Sequence, residues 1–353
     1  MLDLLLPIAG VWINLGAVAG VGLLIGFVSG LFGVGGGFLM TPILIFLGVP
    51  PAIAVATGSA QLVASATFSA TVAARQRTID PRLSAFLIGG ALSGTLIGIS
   101  LFNLLSRLGH LDSVIGVAYV VLLGTVGGLM LKESLAAFRH RQTQINESPP
   151  ENAVQRWLLS LPMRRAFPRL GVSISLVPLV LISLIIGVIG TVLGVGGGFM
   201  FVPALISLFG LPIRSAVAAS QVQILVTMVA ATLLHAVFNH AIDIVLAVPL
   251  ILGGVLGAHL GTMAGRAIKG VQFRLALALL ILLVASRFLY SLLAAAFGSS
   301  VPGETAKITL GALPAWEGWI ALQATSNSGY YGLITAFFAL SCGYFGARLF
   351  DRD

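Results

Sequence analysis

The first half of the chain opens with a long stretch that has no charged side chain, from residue 4 to residue 74, between Asp3 and Arg75. One membrane crossing needs about 20 apolar residues, so this stretch is long enough for several. Only 8% of the chain is charged and 58% is hydrophobic, whereas soluble domains carry roughly 25% charged residues. The composition excludes a soluble enzyme, a disordered chain and, despite a net charge of +8, a nucleic-acid binder. It predicts a polytopic integral membrane protein.

Glycine, proline and polar residues divide the chain into nine apolar segments. We predict them at 15–47, 52–74, 83–105, 113–131, 171–208, 215–235, 244–265, 271–297 and 330–347. A basic stretch at 132–170, with seven Lys or Arg and three Glu, separates two halves. The predicted organisation is a first membrane repeat at 1–131, a cytoplasmic linker at 132–170, a second membrane repeat at 171–297, and a periplasmic or extracellular tail with a final membrane helix at 298–353.

A glycine-rich motif occurs once in each half. GVGGGF at residues 33–38 returns at residues 194–199, and Pro42 returns as Pro203 at the same spacing. Other matching positions are Gln61 with Gln223, Asp80 with Asp243, and Gly90, Gly94 and Gly98 with Gly253, Gly257 and Gly261. The register is kept with only two single-residue shifts, which indicates an internal repeat.

Positive charges predict which loops face the cytoplasm, since short cytoplasmic loops are rich in Lys and Arg. The loop after the second segment contains Arg75, Arg77 and Arg82, but the equivalent loop after the sixth segment contains neither Lys nor Arg. The two halves are therefore predicted to insert in opposite senses, as inverted repeats do in many secondary transporters. If the first and fifth segments are re-entrant hairpins, seven crossings result, with the N-terminus outside and the C-terminus in the cytoplasm. Whether these two segments are hairpins or full spans stays open.

The predicted fold is thus all-α and polytopic. It consists of two inverted repeats, each with a glycine-broken re-entrant helical hairpin and three spanning helices, and of one extra C-terminal helix.

The glycine motifs are predicted to break their helices and to bind substrate. A helix that starts at membrane depth presents free N–H groups and a positive dipole end, and glycine lets an anion approach that backbone. The glycines assigned to this site are Gly33, Gly35, Gly36, Gly37, Gly194, Gly196, Gly197 and Gly198. Thr41 is expected to cap the following helix and Pro42 to occupy its first position, with Pro203 equivalent; these three have structural or gating roles. The alternative is that the glycines only permit tight helix packing, which is the role expected for Gly90, Gly94 and Gly98.

Polar side chains inside the second and sixth segments are the next candidates for substrate contact. They are Thr57, Ser59, Gln61, Ser220, Gln221 and Gln223, and their alternative role is hydrogen bonding between helices. His235 is a candidate proton carrier or a packing residue, and Arg287 is a candidate for anion attraction or a snorkelling side chain. Asp80 and Asp243 are expected to cap helices at loop edges.

The motifs GVGGGFLMTP and GVGGGFMFVP, the segment AVATGS, the ID pairs and the glycine ladder resemble the TauE/SafE family of sulfite and organosulfonate exporters. The resemblance implies export of small sulfur-containing or carboxylated anions, such as sulfite or sulfoacetate, across a bacterial inner membrane. One departure is Gly58, which stands where the second half has Ser220.

We expect a secondary transporter that works by alternating access, with one repeat moving against the other. An anion channel, or a membrane scaffold of the same fold, is the alternative. We expect a small anion and the lipid bilayer as partners, no nucleic acid, no catalytic residues, no metal and no cofactor, and we leave a homodimer open.

Overall fold

The computed structural model describes residues 3–6, 8–9, 11–32, 37–139, 163–167, 172–267 and 271–296. Within these ranges lie ten helices: α1 (Leu15–Phe32), α2 (Gly37–Phe46), α3 (Pro51–Arg75), α4 (Pro81–Arg107), α5 (Leu111–Arg139), α6 (Leu176–Leu193), α7 (Gly198–Phe209), α8 (Ile213–Asn239), α9 (Ile244–Ala267) and α10 (Val271–Ala296). Two antiparallel hairpins precede α1 and α6: β1 (Asp3–Leu5) with β2 (Trp12–Asn14), and β3 (Arg164–Phe167) with β4 (Val172–Ser175). The sequence analysis did not predict these hairpins.

Six helices in the described ranges are long and apolar enough to cross a membrane, namely α3, α4, α5, α6, α8 and α9. Shorter apolar helices cover Leu15–Leu31, Gly37–Phe46, Gly198–Phe209 and Ala278–Ala294. Large apolar side chains such as Leu96, Val121 and Leu233 are exposed on the outer faces, as expected for contact with lipid. The chain is therefore an all-α polytopic membrane protein, as predicted. The predicted ninth segment, 330–347, lies outside the described residues.

The predicted fifth segment is a broken helix that turns back on itself. Leu205 and Phe209, near the end of α7, belong to the same buried cluster as Leu176 and Leu179 at the start of α6. The end of α7 thus lies on the side where α6 begins. With 12 residues, α7 is about 18 Å long at 1.5 Å per residue, less than the thickness of a bilayer core.

In the first half, α2 and α3 also run antiparallel. A Cβ atom on Gly37 would overlap the side chain of Leu62, and one on Gly58 would lie 3.2 Å from Thr41 Oγ1. The turn between the two helices is residues 47–50.

Two pairs of helices pack with their backbones in contact through glycine, which is the role expected for the ladder of Gly90, Gly94 and Gly98. A Cβ atom on Gly22 of α1 would lie 2.7 Å from the carbonyl oxygen of Leu250 in α9, and Gly26 and Gly30 meet α9 in the same way one and two turns later. A Cβ atom on Gly90 of α4 would lie 2.7 Å from the carbonyl oxygen of Val180 in α6. In both pairs the residue numbers of the contacting positions increase in the same direction along the two helices, so the helices are parallel.

These pairs link the two halves of the chain. The most extensive contacts join α1 to α9 and α4 to α6. In the sequence repeat α1 is equivalent to α6, and α9 is equivalent to α4. The two contacts are therefore equivalent. The same holds for α3 with α9 and α8 with α4, and for α2 with α3 and α7 with α8. Two further interfaces, of α3 with α8 and of α5 with α10, each join a helix to its own equivalent in the other half. The most extensive contacts among the described helices therefore follow the sequence repeat.

Two aspartates cap helices at the edges of this arrangement, as predicted. Asp80 Oδ1 accepts hydrogen bonds from the N–H groups of Arg82 and Leu83 at the start of α4. Asp243 Oδ1 does the same for α9, while its Oδ2 accepts from Ile8 and Ala9 N–H in the turn between β1 and β2. Asp243 thus fixes the N-terminal hairpin to the second half of the chain.

Candidate functional site

The N-terminal ends of the short helices α2 and α7 meet in the interior of the protein. A Cβ atom on Gly37 would lie 2.8 Å from the carbonyl oxygen of Val195. The rings of Phe38 and Phe199, the next residue of each helix and equivalent in the repeat, lie 5.2 Å apart between centroids. The described parts of the two glycine motifs are therefore neighbours. Gly33, Gly35 and Gly36 lie outside the described residues.

Backbone conformation explains why the second motif needs glycine. Gly194, Gly196 and Gly197 have φ values of 66°, 71° and 76°, in the left-handed region that side chains with a Cβ rarely adopt. Gly194 ends α6, and Gly197 is the residue before α7. The predicted break in the helix is therefore present. All residues from Gly194 to Phe199 are buried.

The start of α7 supplies backbone donors. Met200 and Phe201 donate hydrogen bonds to the Gly197 carbonyl oxygen. Gly198 and Phe199 belong to the first turn, where an N–H group has no intrahelical acceptor four residues back. Such an end carries a partial positive charge of about half a unit. The site can thus offer buried N–H groups and a positive potential, the combination that attracts an anion.

The predicted capping role of Thr41 is wrong. Helix α2 begins at Gly37, four residues earlier, so Thr41 and Pro42 lie inside it, as Pro203 lies inside α7. In the second half the left-handed glycines Gly196 and Gly197 make the turn into α7, so that helix does not depend on a cap at the position equivalent to Thr41. The hydroxyl of Thr41 is buried and forms no hydrogen bond of standard geometry with the described residues. It would lie 3.1 Å from a Cβ atom on Gly194, which places it beside the second break.

The predicted polar residues of α3 point in different directions. Thr57 Oγ1 accepts a hydrogen bond from Asp243 N–H at 3.2 Å, and Ser59 Oγ donates to the Val55 carbonyl at 2.8 Å. Gln61 Nε2 donates to Ser65 Oγ at 2.8 Å. A Cβ atom on Gly254 would overlap the amide nitrogen of Gln61, so this side chain faces α9. Thr57 therefore joins two helices, the alternative role named above.

The equivalent residues of α8 are also fully buried. Ser220 Oγ donates to the Val217 carbonyl at 2.8 Å, and Gln223 Nε2 donates to Thr227 Oγ1 at 3.0 Å. Gln221 is 2% exposed. Substrate contact by these side chains stays a prediction.

The sequence analysis missed Tyr119 of α5. Its hydroxyl donates a 2.7 Å hydrogen bond to the carbonyl oxygen of Leu193, the last residue of α6 before the break. Its ring stacks on Phe288 of α10 with centroids 5.2 Å apart. Tyr119 therefore satisfies a carbonyl that the end of a helix leaves without an intrahelical donor. One Tyr in an apolar helix carries no sequence signal for this role.

The other two candidates contact residues other than the motif glycines. His235 is buried, with Nδ1 2.9 Å from Asn239 Nδ2, Nε2 3.4 Å from the Thr191 carbonyl and its ring against Phe102. These contacts fit the packing alternative, and a role as proton carrier stays a prediction. Arg287 lies over the ring of Phe46, at 5.6 Å from the centroid. Phe46 is at the opposite end of α2 from Gly37.

No cluster of three or more His, Cys, Asp or Glu side chains that could hold a metal ion occurs in the ranges that the structure describes.

The chain is similar to known membrane proteins over most of its length. The model of the family described as sulfite exporter TauE/SafE matches residues 18–288. A probable membrane transporter protein of Bacillus subtilis (strain 168), YjnA, is 29% identical over 245 residues, which cover 68% of this chain and 86% of that protein. A second from the same strain, YunE, is 24% identical over 277 residues, or 76% of this chain and 95% of that protein.

A probable membrane transporter protein of Xylella fastidiosa (strain 9a5c) is 28% identical over 247 residues, which cover 69% of this chain and 82% of that protein. No solved structure is significantly similar to the chain. The family match includes both glycine motifs and every helix from α2 to α9. This chain is a membrane transporter that belongs to the sulfite exporter TauE/SafE family.

Proposed function

We propose that the protein is a secondary transporter that exports small anions, such as sulfite, organosulfonates or related carboxylates, by alternating access. The observation that carries the proposal is the meeting of two buried half-helix starts, at Gly37 and Gly198. Two positive dipole ends in a low-dielectric interior favour a small negative charge between them. An inside-negative membrane potential assists export by about 2.3 kcal/mol per charge per 100 mV.

The proposal includes an inverted arrangement of the two repeats in the bacterial inner membrane. It is supported by one buried cluster that joins the starts of α4, α6 and α8 to the end of α7, through Leu83, Leu176, Ala216 and Phe209. Under this arrangement α3 and α8 cross in opposite directions. Arginines lie near this cluster, with Arg165 over the ring of Phe86 at 6.0 Å. By the positive-inside rule this end faces the cytoplasm, and the N-terminus lies outside.

The helix contacts also suggest which parts move. A motion of one whole repeat against the other would separate α1 from α9 and α4 from α6, whose backbones touch. We therefore assign the motion to two mixed bundles. The first mixed bundle is α1, α2, α3 and α9, and the second mixed bundle is α4, α6, α7 and α8. They meet where α3 contacts α8, around Leu62 and Ile224, directly beside the glycine breaks.

Transport in inside-out membrane vesicles tests the function, because export then becomes uptake. Vesicles that contain the protein are expected to accumulate sulfite, sulfoacetate or a small carboxylate faster than vesicles without it. The test variant is Gly196→Ala, whose Cβ would lie 3.1 Å from Ile224 Cγ2 at a left-handed position. The matched control is Gly128→Ala in α5, where nothing lies within 4 Å of the added atom.

The Gly196 variant is expected to reduce uptake while the Gly128 variant keeps it. Both are first checked for folding by gel filtration in detergent. Normal uptake by a folded Gly196 variant would contradict the site, and the absence of uptake for every anion tested would contradict the export function.

Cross-linking tests the motion, since Cys342 is the only cysteine and can be replaced first. A bifunctional thiol reagent that joins Leu62→Cys to Ile224→Cys is expected to stop transport, because it ties the two mixed bundles together. The control pair is Phe68→Cys with His259→Cys, whose native rings lie 5.5 Å apart within the first mixed bundle. Transport that survives the first cross-link would refute the assignment of the moving parts.

A further inference from the structure

Exposed arginines surround the buried cluster that joins the starts of α4, α6 and α8. They come from the end of α3 and the loop after it, from strand β3 and from the first turns of α4 and α8, and they are Arg75, Arg77, Arg82, Arg164, Arg165 and Arg214. The segments that carry them, 75–87, 163–176 and 211–219, contain one acidic residue, Asp80. Asp80 is 6% exposed and caps α4. This end of the molecule therefore carries a large excess of positive charge.

Three of these arginines belong to different elements that meet at this cluster. The guanidinium group of Arg165 in β3 lies over the ring of Phe86 in α4, with Cζ 6.0 Å from the ring centroid. Arg82 precedes Phe86 by four residues, so both lie on one face of α4, one turn apart. Arg214 stands two residues before Ala216 of α8, which belongs to the same buried cluster as the β3–β4 hairpin. We call Arg82, Arg165 and Arg214 the basic rim.

The basic rim lies at the depth of lipid headgroups. Helices α4 and α8 are each 27 residues long, and Arg82 and Arg214 are the second residues of these helices. At 1.5 Å per residue each helix is about 40 Å long, which is the thickness of a bilayer together with its headgroup regions. The N-terminal end of a helix carries a partial positive charge, which adds to the charge of both arginines.

Large apolar side chains next to these arginines are exposed. Met163, which precedes Arg164, is 66% exposed, and Ile213, which precedes Arg214, is 60% exposed. At a membrane interface such side chains can enter the acyl region while the guanidinium groups stay at the level of the headgroups. A cationic group beside an exposed apolar group suits a ligand that has both a phosphate and a hydrocarbon chain. A soluble anion would gain nothing from the apolar part.

We propose that the basic rim binds the phosphate group of an anionic phospholipid such as phosphatidylglycerol, with the acyl chains of the lipid beside Met163 and Ile213. Arginine presents a planar fork of N–H donors that matches phosphate oxygens. Basic surfaces between membrane helices recognise anionic headgroups in this way. The bound lipid bridges α4, β3 and α8 and stabilises their arrangement. This inference is independent of the anion that the protein transports.

Lipid titration of the purified full-length protein in detergent micelles tests the inference. Phosphatidylglycerol and phosphatidylcholine with the same acyl chains are compared, and native mass spectrometry measures the bound lipid. The choline headgroup carries its own cation, so the wild type is expected to bind phosphatidylglycerol about fivefold or more tightly, the effect of one arginine near an anionic headgroup. Glycerol 1-phosphate, added at the same concentration as the lipid, is expected not to displace phosphatidylglycerol.

The variants Arg165→Gln and Arg214→Gln each remove one charge of the basic rim. Each is expected to lower the affinity for phosphatidylglycerol about fivefold. The matched control is Arg107→Gln, which removes an exposed arginine at the opposite end of α4, and it should keep the wild-type affinity. Thermal unfolding verifies that each variant is folded. Phosphatidylglycerol should raise the unfolding temperature of the wild type more than that of either rim variant.

Equal affinity of the wild type for the two lipids would overturn the inference, and this result needs no variant. An unchanged affinity for phosphatidylglycerol in both rim variants would also overturn it. An equal loss in Arg107→Gln would show attraction by net charge alone, and displacement of the lipid by glycerol 1-phosphate would show a site for soluble anions; either result refutes the lipid site. None of these outcomes affects anion export, which is measured separately in vesicles.

Discussion

A single methyl group on α4 should reveal how closely α4 and α6 are packed. Gly89 and Gly90 are adjacent, but a Cβ atom on Gly89 has nothing within 4 Å, while one on Gly90 lies 2.7 Å from the Val180 carbonyl oxygen and 2.8 Å from Ser183 Cβ. Ordinary contact begins at 3.4 Å, so the Gly90→Ala variant must open the interface by several tenths of an ångström. Overpacking of this kind costs about 1–3 kcal/mol.

The comparison of the two variants isolates that cost. Replacing glycine by alanine inside a helix gains about 1 kcal/mol from intrinsic propensity, and both variants receive the same gain. Gly89→Ala should therefore be at least as stable as the wild type, and Gly90→Ala should be less stable than Gly89→Ala by about 1–3 kcal/mol. Equilibrium unfolding of the purified proteins in detergent micelles measures the difference. Equal stability of the two variants would refute the backbone contact between α4 and α6.

Three further substitutions have defined outcomes. Tyr119→Phe keeps the stack on Phe288 but leaves the Leu193 carbonyl without its donor, so the free energy of unfolding should fall by about 1–3 kcal/mol; an unchanged value in chemical denaturation would show that the bond is unimportant. Asp243→Ala removes the cap of α9 and the tie to the N-terminal hairpin, which should cost at least about 1 kcal/mol and speed proteolysis near residue 9; protection equal to wild type would contradict this. His235→Gln should leave the pH profile of transport unchanged, because His235 contacts Thr191, Asn239 and Phe102 rather than the motif glycines; a shifted profile would support it as a proton carrier.

The apolar runs and the sequence repeat were sufficient to predict the helical segments that lie in the described ranges and the break at Gly194–Gly198. The starts of α2 and α7 were misplaced, because proline was assumed to mark the first turn, whereas both helices begin at a glycine. Before α7 the turn is made by left-handed glycine. A ladder such as Gly90, Gly94 and Gly98 shows that a helix has a close neighbour but cannot identify it. The partners, α6 for this ladder and α1 for the ladder Gly253, Gly257 and Gly261 of α9, therefore became clear only from the fold.

The polar candidates show a similar limit. The sequence places Thr57 and Gln61 on one helix but cannot tell that the first meets Asp243 N–H and the second the backbone of Gly254. Side-chain direction depends on which helices surround α3, and this is a property of long-range packing. The two short β-hairpins were missed because their strands are only three or four residues long.

The close packing of α1 on α9 has a consequence for biogenesis. Gly22 and Leu250 are more than 200 positions apart, so the first helix leaves the ribosome long before its partner exists. Until α9 is inserted, the glycine stripe of α1 remains unmatched in the bilayer, and neither half can reach its final packing alone. Docking of α1 must therefore wait until α9 is inserted, and a chain truncated before residue 244 would leave α1 without this partner.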